Sequence, residues 1–325
     1  MTLLLAIASR ALKAAVTLLL IVVLNFLLIH AAPGDPAAVM AGEAGAADEK
    51  FIADLRAKFG LDRPFHVQLW SYVQGVLTLD LGWSYRQDAP VIELIAERLP
   101  ATLLLTLTAF GVSLLAGIAL GVAAAARAGR WTDSAITSLA LLFYATPLYW
   151  VALMAVLLFS VQLGWLPGFG YETVGLEAGG LERALDVGRH LVLPALTLGL
   201  FFTAIYMRMT RASMLEVSTQ DFVKTARAKG LSRGVIQRRH VLRNALLPVV
   251  TLAGLQAGQL VGGAVLTETV FAWPGIGRLM FEALASRDYN LLLGVFLVSA
   301  AMVIAFNLIT DLVYRIVDPR IGAVK

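Results

Sequence analysis

DFVKTARAKGLSRGVIQRRHVLRNALLP, residues Asp221 to Pro248, decides the reading of this chain. It lies between uncharged apolar runs that are each long enough to cross a bilayer. Nine basic residues fall between Arg208 and Arg243, against Glu216 and Asp221 alone, more than topology requires. A helix can run from about Ser213 to Lys229, with Gly230 as its C-terminal stop and Ser232 capping a second helix toward Asn244. A basic, helix-prone segment with one Gly-centred break, clamped at both ends by spans, is placed to receive a force from a partner. It reads as a docking element. An inner loop bound to anionic lipid head groups, at about 1 kcal/mol per basic residue, accounts for the charge equally well on these residues alone.

The composition bounds the class. Of 325 residues 59% are apolar and 15% charged, with a mean hydropathy of +0.78, which marks a polytopic membrane protein. The apolar residues fall in long blocks, so a single membrane domain is expected and no separate soluble one. Cysteine is absent, which excludes disulfides, thiolate metal sites and a catalytic thiol. A spanning helix needs about 20 apolar residues because the hydrocarbon core is roughly 30 Å thick. Six segments free of Asp, Glu, Lys and Arg meet that standard: about Ala14 to Ala32, Ala101 to Ala126, Ser134 to Val161, His190 to Met207, Ala245 to Thr267, and Asn290 to Thr310. The expected fold is therefore all-α, with six transmembrane helices. The first span reads as retained, not as a signal peptide, because Pro33-Gly34-Asp35-Pro36 follows it at once. With the N-terminus inside, 16 of the 26 basic residues lie inside and 17 of the 22 acidic residues outside, so both termini are expected in the cytoplasm.

Residues 1–100 then form the first transmembrane helix and an extracytoplasmic helical loop, and residues 101–325 a five-helix core holding the basic loop at about 208–244. In the outer loop Asp48 can cap a short helix carrying Phe51, Ile52, Leu55 and Phe59, ended by Gly60. A second starts near Asp62 and Pro64 and carries Phe65, Leu69, Trp70, Val73 and Leu77; a third begins near Asp88-Ala89-Pro90 and leads into Pro100. These amphipathic helices suit the outer membrane surface, where Trp70, Tyr72, Trp83 and Tyr85 fit an interfacial aromatic belt better than a substrate stack. Residues 164–189 form a Gly-rich acidic outer loop with no chemistry to offer. Thr267 to Tyr289 suggests a short helix pair about a sharp turn at Trp273-Pro274-Gly275.

The basic segment resembles the coupling loop of permease subunits in binding-protein-dependent ABC importers. Those permeases carry Glu-Ala-Ala, three residues, Gly, and later a Leu-Pro or similar pair where the loop contacts the ATPase. Gly230 matches the glycine, while Lys224-Thr225-Ala226 stand at Glu-Ala-Ala and keep only the second Ala, which points away from the sugar-importer branch. TARAKGLS followed by RHVLRNALLP is similar to the dipeptide/oligopeptide branch. So are PGDP at Pro33 to Pro36, FGLDRPF at Phe59 to Phe65, DLGWSY at Asp80 to Tyr85, ERLPATL at Glu97 to Leu103 and ETVFAWPGIGRL at Glu268 to Leu279. The resemblance implies a type I-like permease fold in a bacterial inner membrane. It also implies a second, homologous permease, two ATPase subunits that bind ATP and Mg, and an extracytoplasmic binding protein. It implies no cofactor in this chain and no nucleic-acid partner. Asp221, Lys224, Thr225, Ala226, Arg227, Ala228, Lys229, Gly230, Leu231, His240, Arg243 and Asn244 become the coupling positions. Di- and oligopeptides become the first choice of substrate, in a branch that also contains nickel and glutathione importers.

Other residues carry weaker readings. Gly254, Gly258 and Gly262 leave one face of the fifth span nearly bare, suited to close packing against a span of the same chain or of a partner. Gln256 and Gln259 lie off that row and suit a polar path or bonds across helices. Pro147 should kink the third span. Asn25, Asn307 and Asp311 are polar residues within or ending spans, hence pathway candidates. Catalysis finds no support: no Gly precedes any lysine, so the phosphate loop GxxxxGK[ST] cannot occur, and the four histidines form no ligand cluster, so no metal is expected. A self-contained secondary transporter or channel is the alternative, and it needs coupling-ion sites or an inverted repeat, neither of which is visible.

Overall fold

A computed structural model describes residues 3–31, 48–59, 62–84, 86–176 and 179–317. Its helices are α1 (Leu3–Ala31), α2 (Glu49–Phe59), α3 (Phe65–Leu77), α4 (Val91–Ala126), α5 (Trp131–Ala145), α6 (Leu148–Gln162), α7 (Gly180–Ser218), α8 (Asp221–Ala228), α9 (Arg233–Val270), α10 (Ile276–Ala285) and α11 (Tyr289–Val317). A two-stranded antiparallel ribbon, β1 (Trp83–Ser84) and β2 (Ala89–Pro90), precedes α4. The all-α expectation holds.

The span count comes out lower than the sequence suggests. Helices α4, α7, α9 and Tyr289–Thr310 of α11 are long and apolar enough to cross a membrane; α5 and α6 make a fifth if the pair, bent by 104°, is one broken span. The apolar run of α1 is shorter, Leu12–Leu28, so six spans are not reached on this criterion among the described residues. Pro147 does more than kink the third span. Thr146 is extended at φ −85° and ψ 135°, as a residue before proline is driven to be, and α6 starts afresh after Pro147. Helices outrun their apolar runs elsewhere. At 39 residues α7 is roughly 58 Å long against a core of about 30 Å, so its polar ends must project. Pro100 sits inside α4, which merges the expected third outer helix with the second span. The helix expected from Ser232 to Asn244 likewise runs on into the fifth span as α9, wound as π-helix from Ile236 to Leu242. Between Val270 and Tyr289 there is one short helix, α10, in place of a pair.

The chain divides into two compact units, Met1–Arg98 with Leu279–Ala301, and Leu99–Arg278 with Met302–Lys325. In the first, α3 packs on α1 through Phe26, whose ring lies 5.2 Å from Phe65 and 5.9 Å from Tyr72. Asp48 caps α2 as expected, its carboxylate accepting the Lys50 N–H at 3.3 Å, whereas Gly60 and Pro33 to Pro36 lie outside the described residues. Ser84 of the ribbon donates to the buried Asp288 carboxylate at 2.5 Å, and Asn290 donates to Trp83 O at 3.1 Å.

The second unit is built around α7, two-thirds of whose most apolar window is buried. Leu105 and Ala109 of α4, Leu198, Phe202 and Tyr206 of α7, and Leu260 and Ala264 of α9 form one cluster with Trp273. Backbones approach closely where α4 meets α7. A Cβ on Gly117 would stand 2.5 Å from Tyr206 Cβ, and one on Gly121 would stand 2.5 Å from Thr210 Cβ, so only glycine fits that crossing.

Candidate functional site

Helix α8 is short and split in character. Val223 and Ala226, three residues apart, are buried, while Asp221, Lys224, Thr225, Arg227 and Ala228 are exposed. Eight residues cannot hold a helix in water by propensity, so the buried pair must anchor it. It does so in a cluster with Met214 and Val217 from the end of α7 and Ile236, Val241 and Ala245 from the start of α9. The segment is therefore rooted on two long helices at once. Asp221 in the first turn and Arg227 in the last complement the helix dipole, and Lys224 Nζ lies 2.8 Å from Asp221 Oδ1.

The helix ends on a left-handed residue, Gly230, at φ +76°. Its N–H donates to Arg227 O at 3.0 Å and the Leu231 N–H donates to Ala226 O at 3.3 Å, the paired bonds of a Schellman end. Ser232 caps α9 by backbone alone: its carbonyl accepts the Ile236 N–H at 3.0 Å and its side chain makes no capping bond. Outside this frame stand Lys229, Arg233, Arg238, Arg239 and Arg243, all exposed, together with Phe222 at 39% and Leu231 at 40% exposure. Apolar side chains set among cations suit either a protein groove or the head-group boundary of a bilayer. His240 is half-buried, and its carbonyl accepts the Asn244 amide at 2.7 Å.

The remaining predicted positions lie apart from this segment. Gly258 faces Val303 and Asn307, and Gly254 O accepts the Thr310 hydroxyl at 3.2 Å, so two members of the glycine row pack on α11 of the same chain. Gly262 is exposed, and a Cβ there would meet nothing within 4 Å. Gln256 is half-buried and Gln259 exposed. Asn25 Nδ2 is buried without a partner, Asn307 is exposed, and the Asp311 side chain lies outside the described residues. Among the described residues no group of His, Cys, Asp and Glu could hold a metal ion.

Two polar arrangements escaped the sequence reading. Glu268 is fully buried near the end of α9; its carboxylate accepts the Thr102 hydroxyl at 2.6 Å and the Arg278 N–H at 3.0 Å, while Thr102 Oγ accepts the Ile276 N–H at 2.7 Å. A single acid thus binds α4 and caps the first turn of α10, and the buried Trp273 beside it donates to Ala101 O at 2.9 Å. The second is a forked pair between Asp133 and Arg211, on α5 and α7. Glu268 had a signal, an acid directly after an apolar run and before Trp-Pro-Gly; Asp133 and Arg211 offered only their charges.

Residues 117–323 match the family described as binding-protein-dependent transport system inner membrane component, and residues 3–106 match its N-terminal companion. The chain is 41% identical over 313 residues to the dipeptide transport system permease protein DppB of Alkalihalophilus pseudofirmus, covering 92% of this chain and 93% of that one. It is equally similar, 41% over 305 residues and 94% of each chain, to the glutathione transport system permease protein GsiC of Salmonella choleraesuis. Among solved structures, the inward-facing MetNI methionine ABC transporter aligns with a TM-score of 0.55 at 19% identity, over 70% of this chain and 97% of that one, a likeness of fold.

Proposed function

We propose that this chain, which belongs to the family of binding-protein-dependent transport system inner membrane components, forms with a homologous permease the path by which short peptides cross the inner membrane. Its multi-pass character and ABC-permease fold are the ground for this reading. Relatives named for dipeptides and for glutathione are similar to it to the same degree, and glutathione is itself a modified tripeptide, so one chemical class of cargo covers both. ATP and Mg belong on two ATPase partners, since no phosphate loop can be drawn from this sequence. Peptide arrives on an extracytoplasmic binding protein. Both termini and the basic segment face the cytoplasm.

One observation carries the mechanism: α8 is an exposed basic helix rooted through Val223 and Ala226 on the ends of both α7 and α9. A partner that shifts α8 shifts both helices, and closure and parting of the ATPases bias the permease between its two access states. The test is reconstitution. The purified chain should hydrolyse no ATP. Hydrolysis should appear with the ATPases and second permease in liposomes and rise with peptide-loaded binding protein. Peptide uptake by the chain alone, driven by an ion gradient, would establish the secondary transporter instead.

A further inference from the structure

Asp133 is buried at 4% exposure in the first turn of α5, yet it is an acid. Arg211 Nε donates to its Oδ1 at 2.6 Å, Arg211 Nη2 to Oδ2 at 2.7 Å and the Gly129 N–H to Oδ2 at 3.0 Å, with the Thr137 hydroxyl as a further donor. A two-pronged guanidinium–carboxylate contact fixes distance and orientation together, which a lysine could not do. Arg211 stands two helical turns before Ser218, where α7 gives way to α8.

The other end of α5 is tied to α7 as well. The Tyr144 ring stacks on Phe201 at 5.2 Å, and the Arg208 guanidinium lies 5.5 Å from the Tyr144 centroid. Two attachments, one near each end of α5, leave it no independent rotation against α7. The next break in the helical backbone along the chain is at Thr146 and Pro147, where the axis turns by 104° into α6. We infer that the Asp133–Arg211 fork is a positioning link that makes α5 follow α7, so that a displacement of α8 is delivered to the Pro147 break. This rests on the coupling role proposed for α8. It adds a route through α5 that the contacts of α8 do not themselves contain.

The experiment uses the complete complex in liposomes, with peptide uptake, ATP hydrolysis and subunit content measured on each sample. Asp133→Asn and Arg211→Gln should each lower the uptake obtained per ATP by about tenfold. Arg211→Lys, which keeps the charge without the fork, should fall between them and the unmodified complex. Exchange of the pair, Asp133→Arg with Arg211→Asp, should recover part of the loss, because the Gly129 N–H and the first turn of α5 then face a cation. An unmodified uptake-to-hydrolysis ratio in Asp133→Asn, or in Arg211→Lys, would overturn the inference. Failure of the single variants to assemble, uncorrected by the exchange, would overturn it too, since the pair then only holds the fold. If the unmodified complex shows no link between hydrolysis and uptake, the coupling reading itself fails.

Discussion

Replacing Gly230 tests the docking segment with no change of charge. Its φ of +76° is a conformation that costs an L-residue about 1–2 kcal/mol, with β-branched side chains at the upper end. There is no clash to add, because a Cβ at Gly230 meets nothing within 4 Å. Relieving the strain by turning the backbone would forfeit the Gly230–Arg227 and Leu231–Ala226 bonds, at about 0.5–1.5 kcal/mol each, so neither escape is cheaper. A penalty of roughly 1–2 kcal/mol confined to this turn reduces the population of the docking geometry by roughly 5- to 30-fold, yet is small against a typical global stability of about 5–15 kcal/mol. Gly230→Val should therefore insert normally and lose peptide uptake per ATP in the reconstituted complex, or release the ATPases, with Gly230→Ala intermediate. Gly234→Ala is the control: Gly234 lies in the first turn of α9 with open space around it and should be neutral or gain about 0.5–1 kcal/mol. Full uptake by Gly230→Val would refute the reasoning, as would Gly234→Ala doing equal damage. If neutralising Lys224, Arg227 and Lys229 lowers uptake only in liposomes that contain anionic lipid, the segment is a lipid-binding element instead.

Two further outcomes are expected. A single cysteine at Ser232 should react with an impermeant reagent only after the inner membrane is permeabilised, and one at Gly179 without it; the reverse pattern would invert the topology. Gly275→Ala drives a methyl into the Glu268 carboxylate and should cost about 1–3 kcal/mol, and Glu268→Ala strands the Thr102 hydroxyl and the Arg278 N–H at about 1–3 kcal/mol each. Thermal unfolding of the detergent-solubilised chain reads both, and a Glu268→Ala variant as stable as the parent would dismiss the buried acid as incidental.

What the sequence disclosed was whatever the backbone enforces locally. A helix that must stop before another begins needs a left-handed residue, and Gly230 stands where the pattern demands one. A proline inside an apolar run must disturb it, and Pro147 does, though the full break depends on Thr146 leaving the helical region as well. Helix ends were hidden because an apolar run marks the lipid and not the helix: Leu181 and Leu185 belong to α7, beyond the stretch that looked like a span. The glycine row was legible as a bare face, but its use was not. Gly258 meets α11, Gly262 meets open space, and the tighter crossing falls at Gly117 and Gly121. Glu268 was read only as the charge that ends a span, so its burial was missed: the partner that satisfies the acid stands 166 residues away.

That separation has a consequence for how the chain is made. Thr102 is synthesised long before Glu268, so the hydroxyl is already made when the acid emerges, while the Arg278 N–H follows ten residues later. Leaving an unpartnered acid within a membrane span costs about 2.5–3.5 kcal/mol at the centre of a helix and less near its end. A chain interrupted between Glu268 and Arg278 would hold that carboxylate half-bound, with the Thr102 hydroxyl but without the Arg278 N–H.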